Sequence, residues 1–148
     1  MIKKLFAPGN DSFLTNFALL VLRLWLGLTM LLNHGIDKMN HFTAMADQFP
    51  DPLHISQKAS LGLATFAESL CALLLAIGLV TRLSALALAI DLGVAFFMVH
   101  KMDLSMSAHS GELAFIYLGG FVTLLIAGGG SFSVDKALFG KGGSGGGK

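Results

Sequence analysis

The sequence predicts an all-α integral membrane protein: four transmembrane helices bundled in a single domain, residues 1–140. Three observations carry this. Hydrophobic residues make up 54% of the 148, only 13% are charged, and the mean hydropathy of +0.72 exceeds what a soluble domain needs for a core. Four apolar stretches approach or reach the roughly 17–25 residues that a helix needs to cross hydrocarbon. A four-residue connection between the second and third ties them into an antiparallel hairpin.

The elements follow in order. The leading "MIKKLFAPGNDS" is too polar for the apolar region of a signal peptide, and no Ala-x-Ala pattern follows the first long run, so that run is expected to be retained as a span. It covers about 17–35. The loop Ile36 to Lys58 contains "FPDPLH", whose prolines interrupt any helix, and is expected at the headgroup surface. A second span covers about 59–79 and a third about 83–100, joined by "VTRL", Val80 to Leu83. The fourth, about 112–129, is the shortest. Residues 141–148, "KGGSGGGK", form a flexible Gly/Ser tail without packing capacity and are set aside.

Charge narrows function. Net charge is +1 with no basic block, which excludes a nucleic-acid footprint. Cys71 is the sole cysteine, so an internal disulfide and a Cys-x-x-Cys thiol relay are both excluded. The side holding both termini carries Lys3, Lys4, Arg82, Lys136, Lys141 and Lys148, against Lys38, Lys58 and Lys101 opposite, so the termini are expected in the cytoplasm. All five histidines, His34, His41, His54, His100 and His109, fall on the other face.

An ionisable group in mid-membrane costs about 2.5–3.5 kcal/mol on insertion scales and normally faces a partner inside the bundle. Arg23, Glu68 and Asp91 lie at similar depths in the first three spans, and the simplest arrangement pairs the guanidinium with one or both acids. Two acids against one base leave a surplus, so either one carboxyl keeps its proton or a cation or polar ligand completes the set. Structural glue and proton handling both fit these residues. Helical spacing sets Arg23, Gly27, Met30 and His34 on one stripe. Thr65, Glu68 and Ala72 form another, as do Ser84, Ala87, Asp91, Ala95 and Met98, and a fourth comprises Glu112, Ile116, Gly119 and Thr123. Each is expected to face the interior.

The exoplasmic rim gathers His34, Asp37, Lys38, His41, His100, Asp103, His109 and Glu112. Such groups serve metal binding, hydrogen bonding to a small-molecule head group, proton transfer or plain interfacial anchoring. No His-Glu-x-x-His is present, and no metal is assigned. Cys71 reads as an inert packing thiol and Trp25 as a lipid-facing or packing residue.

Longer blocks carry a family resemblance. "RLWLGLTMLLNHGIDKM", Arg23 to Met39, resembles the opening signature of the DoxX family, an Arg, a Leu-Gly and a His-Gly-x-x-Lys closing the first span. "LATFAESLCALLLAIGLVTRLSALAL" resembles its second block, and "VHKM" and "GELAFIYLGGFVTLLIAGGGSFSVD" its closing blocks, so that the likeness runs from Leu20 to Asp135. The resemblance implies a four-helix protein of the bacterial inner membrane. It also implies association with membrane redox complexes, since the family is named for a subunit of a thiosulfate:quinone oxidoreductase. The family's recurring polar residues fall here on Arg23, His34, Gly35, Lys38, Glu68, Thr81, Arg82, His100 and Glu112. Asp91 is not part of that pattern.

The expected function is therefore a quinone-linked redox accessory subunit, in which His34, Lys38 and His100 bind the carrier and Glu68 and Glu112 handle protons. No haem, flavin or iron–sulfur motif is present, so a redox partner protein must supply electrons. Two further readings stay open: a small-molecule or lipid carrier with a proton-coupled mid-membrane site, and a scaffold subunit, either of them in a homo-oligomer.

Overall fold

The computed structural model describes residues 12–105, 107 and 110–140; His109 and the Gly/Ser tail lie outside the described residues. Four helices dominate: α1 (Phe13–Asn40), α2 (Gln57–Ile77), α3 (Thr81–Val99) and α4 (Glu112–Ala127). A six-residue α5 (Val134–Phe139) follows. The first three are long and apolar enough to cross a membrane, and α4, with 16 residues, is shorter. Among the described residues there is no strand.

The helices form a ring in which α1 packs on α2, α2 on α3, α3 on α4, and α4 back on α1. Apolar burial alone does not drive helix association in lipid, where tails are as apolar as leucine; close approach of small residues does. The interior accordingly carries Ala67, Ala72, Ala85, Ala89 and Ala114 beside the fully buried Leu75, Leu88, Phe121 and Leu124. Trp25, Leu83 and Ile126 point outward, 72%, 65% and 72% exposed, as lipid-facing residues should.

Boundaries differ from expectation at two places. Helix α1 continues through Asn40, adding a turn beyond the expected loop boundary that carries Lys38. The hairpin between α2 and α3 turns on Gly78 and Val80, both with left-handed backbone, and α3 begins at Thr81. Asp135 makes this turn possible: its carboxylate accepts from the amides of Val80 (2.6 Å) and Thr81 (2.8 Å), capping α3 from the far end of the chain.

Three helices carry a π-helical turn, at Leu31–Gly35, Ala67–Cys71 and Ala95–Val99. In each, an amide reaches back five residues: Ile36 to Leu31, Ala72 to Ala67, His100 to Ala95. Such turns insert one extra residue, re-aim the side chains after them and cluster at functional sites. No residue pattern announced them.

Candidate functional site

The interior stripes of α1 and α2 are as the spacing predicts. Arg23, Gly27 and Met30 are buried with His34 at the edge, and Glu68 and Ala72 are buried on α2. On α4 the expected stripe is wrong: Glu112, Ile116, Gly119 and Thr123 are exposed, and Ala114, Tyr117, Phe121 and Leu124 face inward. Both stripes have helical spacing, but α4 is apolar almost all round, so periodicity anchored on Glu112 chose the outer face.

A cavity of about 690 Å³ opens where the π turns meet. Its polar lining is His34, Lys38, Glu68, Asp91, His100 and Tyr117, with Ser60 and Ser110 at the margins; the remainder is apolar. The loop expected at the headgroup surface roofs it through Phe49, Pro50, Pro52 and Leu53. Asp51 fixes this roof, accepting from Ile55 N (3.1 Å), Ser56 N (2.9 Å) and Ser60 Oγ (2.8 Å). The Ser60 hydroxyl, followed by the two amides, holds the Asp51 carboxyl below the usual carboxylate range.

One wall of the cavity holds the charges. Lys38 Nζ forms an ion pair with Glu68 Oε2, and Asp91 lines the same cavity. Two acids and one cation thus share the cavity, and the cation that meets Glu68 is Lys38, not Arg23. Lys38 is the next step of the Arg23–His34 stripe, four residues past His34.

Arg23 itself is a correction. It does not join Glu68 and Asp91; fully buried, it donates from Nη2 to the carbonyl of Phe132 (2.6 Å) and lies against Gly78 and Ser133, with Asp135 the acid that attracts it. Its acceptor is a backbone carbonyl in the segment after α4, which no side-chain pattern could reveal. The buried charge network expected of Arg23, Glu68 and Asp91 is thus two separate systems.

Glu112 is likewise outside the cavity, exposed at the start of α4. Asp37 and His41 pair with each other on the surface (2.9 Å). His34 and His100 do line the cavity, and the rings of His34 and Tyr117 meet edge-on, centroids 6.1 Å apart. Tyr117 went unread in the sequence, although the spacing Ala114, Tyr117, Phe121, Leu124 marks its face. Cys71 is buried in the apolar core, as a packing thiol.

The DoxX family matches residues 18–101, more than half the chain, covering α1 except its first five residues and the whole of α2 and α3. An uncharacterized protein of Haemophilus influenzae is 30% identical over 126 residues, 82% of this chain and 83% of that protein. No solved structure matches. With more than half of its length matching the family, the chain belongs to the DoxX family of membrane proteins.

Proposed function

We propose that the protein is a quinone-linked redox accessory subunit whose four helices cross the bacterial inner membrane with both termini in the cytoplasm. The observation that carries this reading is the Lys38–Glu68 ion pair, with Asp91 and two histidines, in a cavity whose lining is otherwise mostly apolar. An amphipathic carrier with a small polar head and an apolar body fits such a lining. His34 and His100 would hold the head oxygens, and Lys38 orients the carboxyl pair. A quinone bound there supplies two-electron, two-proton redox chemistry. The chain contributes two carboxyl groups for proton transfer, Glu68 and Asp91, and water exclusion by the Phe49–Leu53 roof. Electrons come from a partner protein.

A second reading, a proton-coupled carrier of amphipathic molecules, draws support from the three π turns, which interrupt regular helix at the depth of the cavity. Solvent extraction of the gently purified protein, followed by mass spectrometry, separates the two. Stoichiometric quinone that is lost in Glu68→Gln is the result expected here. A phospholipid or other metabolite in its place favours the carrier, and quinol-linked turnover unchanged by Glu68→Gln rejects the proton role.

A further inference from the structure

At the opposite end of the bundle a second hollow, about 340 Å³, opens between the start of α3 and the Gly128–Gly130 turn. Arg82 and Lys136 line it, both exposed, and neither has an acidic partner among the described residues. Arg82 is oriented by one bond, Nη2 to the Ile126 carbonyl (3.2 Å), which leaves its other donors toward the hollow's margin. Asp135 also lines the hollow, its carboxylate oxygens bound to the Val80 and Thr81 amides, so the lining carries two cations against one anion.

A second observation lies behind the floor. Arg23 Nε and Nη1 are fully buried with no partner, and Nη1 lies beside Gly78 and Ser133, the latter a lining residue. Thr81 Oγ1, beside Gly129 and Asp135, is buried without a bond of regular geometry. Two cations therefore line one opening that holds a single acid, and the buried Arg23 lies behind its floor. Phe139, 71% exposed, lines it as well.

We infer that this hollow binds the phosphodiester head of an anionic membrane lipid, with Arg82 and Lys136 holding the phosphate and the acyl chains leaving past the exposed Phe139. Charge complementarity selects the head, and the apolar flank selects a lipid over a free anion. Basic pockets at the ends of transmembrane helices take such heads. This assignment is independent of the cavity at the other end.

Native mass spectrometry of the full chain, titrated with phosphatidylglycerol or phosphatidylcholine, tests it. Phosphatidylglycerol is expected to be retained about tenfold better, and the preference to vanish in Arg82→Ala/Lys136→Ala. Lys136→Gln alone, a change at an exposed residue, should lower retention several-fold. Raising salt from about 0.05 to 0.5 M should weaken retention in the unaltered chain. Equal retention of the two lipids overturns the inference, as does undiminished retention by the variants. Displacement by millimolar inorganic phosphate would assign the hollow to a free anion and overturn the lipid.

Discussion

Lys38 Nζ on α1 and Glu68 Oε2 on α2 form an ion pair whose side chains are only 13% and 10% exposed. Removing one partner of such a pair leaves an uncompensated charge in an apolar wall, at about 3–5 kcal/mol, whereas removing both is often close to neutral. Lys38→Met and Glu68→Gln should each lower thermal stability in detergent, and the double variant should recover much of the loss. A double-mutant cycle measures the coupling. Additive losses would mean that the two side chains do not sense each other.

Arg23 holds the chain's last segment to the bundle. Its bond to the Phe132 carbonyl joins α1 to a loop 109 residues away, and Asn16 repeats the link by accepting from Ser131 N (2.6 Å). Losing a charged hydrogen bond here costs about 1.5–3 kcal/mol. Arg23→Ala should therefore loosen residues 128–140 more than the core, and limited proteolysis should cut after Gly128 before α1 to α3 unfold. Lysine at position 23 restores charge but not the guanidinium's reach, and should protect only in part.

Much of this arrangement is legible in the sequence because helical spacing is a strong constraint where polar residues are scarce. Arg23, His34 and Lys38 share one stripe on α1, and that stripe fixes which side of α1 meets α2. The partner of Arg23 is illegible for a physical reason: every residue has a carbonyl, so an acceptor supplied by Phe132 leaves no side-chain signature. Glu112 misleads because it sits on a helix with almost no polar contrast, where one carboxylate at the mouth looks like an inward group. The π turns escape because helix propensity, which is all that local sequence reports, does not distinguish them from α-helix.

Two carboxylates outside the spans should give stability a shared acid limb. Burial alone would push the Asp135 carboxyl up, but the Thr81 and Val80 amides it accepts from, with the Arg23 guanidinium nearby, outweigh burial, and it sits below the ordinary range. Asp51 is lowered by Ser60, Ser56 and Ile55. A carboxyl depressed in the folded state contributes stability that is present above its unfolded value, near pH 4, and is lost as pH falls through the lower folded value. Melting temperature should thus decline below about pH 4. Asp135→Asn and Asp51→Asn should each flatten that decline, the first by freeing the α3 start and the second by freeing the cavity roof.

Gly35 sits where α1 and α2 come closest. A Cβ there would meet the Glu68 backbone and lie 2.9 Å from Ser69 Cα, a distance real Cβ atoms do not show, and backbone cannot swing aside as a side-chain tip can. Gly35→Val should force the helices apart at their π turns, costing about 1–3 kcal/mol or more by overpacking, and should separate Lys38 from Glu68. Gly62, on α2 with nothing within 4 Å of its would-be Cβ, is the control: Gly62→Ala should be neutral or stabilise by about 0.5–1 kcal/mol through helix propensity. Thermal melts of the two variants, read alongside extraction of the cavity's ligand, decide the point. Gly35→Val that keeps both stability and ligand would show that the helix contact at Gly35 does not build the site.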